Sequence, residues 1–122
     1  ADTYYRMVTL CKQSYDMEDS TLMGLATKAF PIVAFAKKLE DNSRRLMEIS
    51  ECEYLPDSTR PGESRQRMRT LYRFHITDNR IVEGKAKIIG HYEKVEPPSE
   101  GLLKRLRENG MSFKTQQQLF GI

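Results

Sequence analysis

Hydrophobic and polar positions change period several times along this 122-residue chain, and each change predicts an element. From Thr3 to Lys12 the residues alternate, with Tyr4, Val8 and Leu10 on one side and Tyr5, Met7 and Cys11 on the other. A period of two with apolar groups on both sides predicts a first strand inside a sheet. Asp16, Glu18 and Asp19 then precede Ser20. Acids complement a helix dipole and a serine hydroxyl can cap free N–H groups, so a helix is expected over 21–29. Pro31 suits the first turn of another helix. Beyond it, Ile32, Phe35, Ala36, Leu39, Leu46 and Met47 recur at helical spacing, with Lys37, Lys38, Glu40, Asp41, Arg44 and Arg45 mostly opposite. That stripe predicts a long central helix over about 31–48, facing a core.

The segment from Ile49 to Leu55 runs into Pro56 and predicts a strand. Asp57 to Ser64, with Pro61-Gly62, reads as a loop, and the wider stretch 56–66 has room to move. From Arg67 to Tyr92 the chain reads as one β-hairpin, turning near Thr77-Asp78-Asn79-Arg80-Ile81. A two-residue loop at Asp78-Asn79 would mix apolar and charged side chains on each face. A three-residue loop over Asp78, Asn79 and Arg80 instead pairs Ile76 with Val82, Phe74 with Gly84, Tyr72 with Ala86 and Thr70 with Ile88. In that register the other face carries Arg67, Arg69, Leu71, Arg73, His75 and Thr77 beside Ile81, Glu83, Lys85, Lys87, Ile89 and His91, with Arg73 opposite Lys85. Like charges set across a strand pair ask for a counter-charge.

Glu96-Pro97-Pro98-Ser99 breaks the sheet and starts a C-terminal helix over about 100–108, with Leu102, Leu103 and Leu106 as its buried stripe and Asn109-Gly110 ending it. The tail 111–122 has room for a last short helix around 115–120. The expected architecture is α+β: an antiparallel sheet of three to four strands that includes the 67–92 hairpin, packed against the central and C-terminal helices. One domain over 1–122 is expected, because a chain of this length buries enough surface for a core.

Charge sharpens the functional reading. The net charge of +3, from 20 Lys and Arg against 17 Asp and Glu, is small. Its distribution is uneven: Arg60, Arg65, Arg67, Arg69 and Arg73 follow a block with Glu48, Glu51, Glu53 and Asp57. The two blocks could neutralise each other, or the basic one could hold a polyanion. Two cysteines, Cys11 and Cys52, lack a Cys-x-x-Cys spacing and fit a reduced, cytoplasmic compartment. No apolar run approaches the length of a membrane span, and a membrane partner is not expected.

Catalytic chemistry finds little footing. Neither cysteine has a histidine or basic neighbour in a nucleophile motif, no serine sits in a Gly-x-Ser-x-Gly elbow, and the glycines form no phosphate loop. His75 opposite Glu83 would make a base and its orienting carboxylate. The same register separates His75 from His91 by roughly 27 Å at the usual strand rise, too far for a shared metal. Neither metal nor cofactor is implied. Gly110-Met111-Ser112-Phe113 with Leu119-Phe120-Gly121-Ile122 resembles the turn and second helix of helix-turn-helix regulators, departing from them at Gln116 and Gln117.

Three readings follow. The first is a non-enzymatic domain that holds a polyanion, nucleic acid first among them, on Arg65, Arg67, Arg69, Arg73, Lys85 and Lys87. An assembly or interaction protein is the second, binding an acidic protein surface or a second copy through that face or the tail. The third is a ligand pocket or enzyme between the sheet and the long helix, near Tyr72, Phe74 and Phe35.

Overall fold

The computed structural model describes residues 2–16, 18–56 and 64–121. Its elements are α1 (Asp2–Lys12), α2 (Asp19–Ala29), β1 (Ile32–Lys38), β2 (Arg44–Pro56), β3 (Ser64–Val82), β4 (Lys85–Lys94), α3 (Glu100–Glu108) and α4 (Phe113–Phe120). The strands form one antiparallel sheet in the order β1-β2-β3-β4. The α+β class is therefore as expected. The loop expected over 57–63 lies outside the described residues.

Two elements depart from the sequence reading. The first segment is the helix α1 and not a strand, because Tyr4 and Val8 lie four apart on one helical face and are both buried. Packing against α2 outweighs the strand preference of a stretch rich in aromatic and β-branched residues. The long helix over 31–48 does not form: its place is taken by β1, a turn and the first half of β2. Asp41-Asn42-Ser43 supplies the turn. Asp41 Oδ1 accepts from Ser43 N at 3.0 Å, Asn42 adopts a left-handed φ of 64°, and Leu39 N donates to Ser43 O at 2.8 Å. Asparagine and aspartate tolerate these conformations and bond to nearby backbone, so the apparent helical period spans two strands.

Chain contacts divide the molecule into two compact units, Ala1–Val33 with Glu51–Arg69, and Ala34–Ser50 with Thr70–Ile122. In the first, Tyr4, Val8, Leu22, Met23 and Cys52 form the core, with Met7, Ala26 and Val33 against it. The Tyr4 hydroxyl donates to the Phe30 carbonyl, which satisfies a phenol that is otherwise fully buried. Burial, with the Cys52 thiol beside it, pushes that phenol up to about 12. The N-cap of α2 is Glu18, whose side chain makes no capping bond, and not Ser20.

In the second unit, β3 and β4 meet at Glu83-Gly84, where both residues take positive φ (52° and 76°). This is the geometry of a two-residue type I′ hairpin turn, and it lies five residues beyond the expected one. The ladder pairs Val82 with Lys85, Arg80 with Lys87, His75 with His91 and Arg73 with Glu93, with an irregularity between Ile76 and Asp78. Phe74 is buried, its ring 5.0 Å from Tyr92 and 5.1 Å from the Arg45 guanidinium. Gly90 leaves the room this ring needs: a Cβ there would meet His75 O at 2.3 Å and Phe74 Cζ at 2.6 Å. α3 is capped by Ser99 Oγ, which accepts from Leu102 N at 3.1 Å, and α4 by Ser112 Oγ, which accepts from Thr115 N at 3.1 Å. Gln116 is buried, donating to Leu103 O at 2.8 Å and accepting from Arg107 Nη1 at 3.1 Å.

Candidate interaction site

Three basic residues of β3, Arg67, Arg69 and Arg73, have acidic neighbours on β2. Arg69 Nε donates to Glu53 Oε1 at 2.7 Å, and Arg67 Nη1 lies 3.6 Å from the same oxygen. Farther along, Arg73 Nη2 lies 3.6 Å from Glu48 Oε1, which also accepts from Thr70 Oγ1 at 3.1 Å. Of the two outcomes that the charge pattern allows for these arginines, the geometry is that of mutual neutralisation by the Glu48 and Glu53 acids. Arg65 lies on β3, with its side chain outside the described residues. Lys85 and Lys87 are exposed on β4 beside the turn.

The register overturns the expected pairings: Ile76 faces Gly90 and not Val82, Phe74 faces Tyr92 and not Gly84, Tyr72 faces Lys94 and not Ala86, and Ile88 faces Asn79 and not Thr70. Arg73 stands opposite Glu93 and not Lys85, so no like-charge pair forms there. Lys87 instead faces Arg80, whose Nε donates to Asp78 Oδ2. His75 and His91 are direct cross-strand partners with ring centroids 5.4 Å apart, and not two distant groups. Glu83 occupies the turn, and the carboxylate beside a histidine is Glu93, 3.0 Å from His91 Nε2. All of these differences follow from the position of the turn. Placing the turn at Asp78-Asn79-Arg80 slid every pair, whereas Glu83-Gly84 carries the glycine that a type I′ turn requires. Among the described residues no group of three or more His, Cys, Asp or Glu side chains converges as a metal site would. The pocket expected between sheet and long helix loses its helix, and Phe35 is an exposed residue of β1.

A surface that the periodicity missed lies in the first unit. α1 and α2 pack as a pair and enclose an open groove of about 450 Å³. Val8, Leu22 and Ala26 line it, and Leu10, Tyr15, Leu25 and Phe30 stand around it, each more than half exposed. Among the described residues no charged side chain lines the groove. The signal in the sequence was the apolar stripe Leu22, Leu25, Ala26 and Ala29 on α2 with Met23 beside it, of which Leu22 and Met23 reach the core while Leu25 stays exposed. No helix among the described residues is long and apolar enough to cross a membrane. No protein-family model, curated protein or solved structure matches the chain.

Proposed function

We propose that the protein is a non-enzymatic interaction module whose α1–α2 groove takes the apolar face of a helix from another protein. One observation carries this reading: Leu10, Tyr15, Leu25 and Phe30 surround one uncharged groove while remaining mostly in water. Scattered apolar side chains are ordinary on a protein surface, but a contiguous patch rimmed by polar groups marks a contact. α1 and α2 each run 11 residues, so the groove offers a track about 16 Å long, roughly three turns of an amphipathic partner. Its lining offers no counter-charge to phosphate, which favours a protein partner over a polyanion here.

A second reading keeps a polyanion on Arg65, Arg67, Arg69, Arg73, Lys85 and Lys87. The exposure of Lys85 and Lys87, together with the like-charged pairing of Arg80 with Lys87, supports it. The acids beside Arg67, Arg69 and Arg73 weigh against it. Site-specific photo-crosslinking from Leu25, with Lys85 as the comparison position, separates the two. The module reading expects a protein crosslinked from Leu25 that, once purified, binds the chain directly and loses affinity for an Ala26→Asp variant. Salt-sensitive binding of labelled DNA or RNA that is abolished by Lys85→Glu with Lys87→Glu, without any crosslink from Leu25, overturns it in favour of the polyanion.

A further inference from the structure

The two edges of the sheet are built differently. β4 carries Lys85, Lys87, Glu93 and Lys94 along its length, the usual protection of a free edge against pairing. β1 carries no charge from Ile32 to Ala36, is the terminal strand in the sheet order, and has Ile32, Ala34, Phe35 and Ala36 exposed. A row of backbone donors and acceptors flanked by exposed apolar side chains is a template for one more strand.

We infer that β1 pairs with β1 of a second copy, antiparallel about a two-fold axis at Ala34, joining two sheets into one. This goes beyond the proposed groove and uses a different surface of the chain. Backbone direction is the first argument. Pro31 O accepts from Cys52 N at 2.8 Å, so Pro31 points into the sheet. By alternation Val33, Phe35 and Lys37 do the same, while Ile32, Ala34 and Ala36 turn their N–H and C=O groups outward. The proline, which has no N–H, thus falls on the inward set, and the outward row is complete.

Side-chain pattern and charge then select a second copy as the occupant. With Ala34 on the axis, Ala34 faces its symmetry mate and Ile32 faces Ala36, both as hydrogen-bonded pairs. Val33 of one copy faces Phe35 of the other in the closer, non-hydrogen-bonded position, and symmetry makes this aromatic and β-branched contact twice. Lys37 and Lys38 of the two copies end at opposite ends of the ribbon. A parallel arrangement would set them side by side, which like charges disfavour. The contact is thus isologous, each pair off the axis made twice by symmetry.

Light scattering and native amide hydrogen exchange on the full chain test the pairing across a range of protein concentrations. The wild-type chain is expected to double its 14.2 kDa mass with rising concentration, while the Ile32, Ala34 and Ala36 amides gain protection. Ala34→Pro removes the two symmetry-related bonds at the axis and leaves the β2 side of the strand intact. It should raise the dimer dissociation constant by about tenfold or more, with unchanged circular dichroism. Phe35→Lys removes both aromatic contacts and serves as a second variant that spares the backbone. A monomer at every concentration overturns the inference, as does a dimer that both variants retain. A dimer lost in Leu25→Asp but kept in Ala34→Pro would assign self-association to the groove and overturn the β1 pairing alone.

Discussion

Glu53 Oε1 receives the Arg69 Nε–H at 2.7 Å and lies 3.6 Å from Arg67 Nη1, so one carboxylate on β2 serves two guanidinium groups on β3. The contact with Arg69 is well shielded, with side-chain exposures of 18% and 11%. Hydrogen bonds to a charged partner in such surroundings are stronger than exposed surface pairs. Glu53→Gln keeps the volume and removes the charge. It should lower stability by about 2 kcal/mol in urea unfolding, and raise the salt concentration at which the protein leaves a heparin column.

Asp41 ties its own turn to strand β4 from one side chain. It receives the Ser43 hydroxyl and N–H, and its Oδ2 accepts from Ile88 N on β4 at 3.0 Å. These bonds, that of the Ser43 hydroxyl foremost, hold the carboxyl at about 2, below its ordinary 3.8. A depressed carboxyl binds fewer protons folded than unfolded, so its contribution is complete above the ordinary value and is lost as pH falls toward about 2. Urea midpoints measured across that interval should fall more steeply for the wild-type chain than for Asp41→Asn.

Tyr4 gives the opposite sign at the alkaline end. Its phenol is pushed up to about 12 from 10.0, mainly by burial. The unfolded chain therefore loses this proton first, and the stabilisation present below pH 10 is lost as pH rises through that interval. Tyr4→Phe should remove this part of the alkaline dependence. It should also cost about 1–2 kcal/mol at neutral pH, because the Phe30 carbonyl loses its donor.

The hairpin turn predicts a pair of opposite effects. Glu83 holds a left-handed conformation that glutamate disfavours and asparagine tolerates through its short polar side chain, so Glu83→Asn should stabilise by about 0.5–1 kcal/mol. Gly84→Ala should destabilise by about 1 kcal/mol for the same reason. Gly90→Ala acts through a different cause, a clash with the His75 carbonyl and the Phe74 ring, and should cost about 1–3 kcal/mol or more. Thermal unfolding of the three single variants checks the order.

Gln116 fixes α4 through two polar contacts in a buried place. Replacing it with Leu leaves the Leu103 carbonyl without this donor and Arg107 without this acceptor. A loss of about 1–3 kcal/mol is expected. Amide exchange in 113–120 should accelerate more than in β3, since the bonds concerned anchor the C-terminal helix.

Local chemistry was legible along the chain. Ser99 and the prolines before it mark the start of α3, Leu102 and Leu103 its buried face, and the aromatic and β-branched run before Asp78 a strand. Each of these depends on neighbours within one turn or one strand. The adjacency of acidic and basic blocks also made pairing of Glu48 and Glu53 with the arginines legible as one outcome, because hairpin-like connection of nearby strands brings such blocks face to face.

Tertiary structure decided the rest. Residues 2–12 fit both a period of two and a period near four, and only the burial of Tyr4 and Val8 against α2 selects the helix. The stripe from Ile32 to Met47 mimicked a helix because two strands and their turn were counted as one element, and the Asp41 bonds that break it reach across to β4. Register was the largest gain. Moving the turn to Glu83-Gly84 re-paired every residue of the ribbon, set Arg73 against Glu93 and brought His75 to His91. The apolar groove and the uncharged edge of β1 follow from which faces remain uncovered after packing, a property that no window of sequence contains.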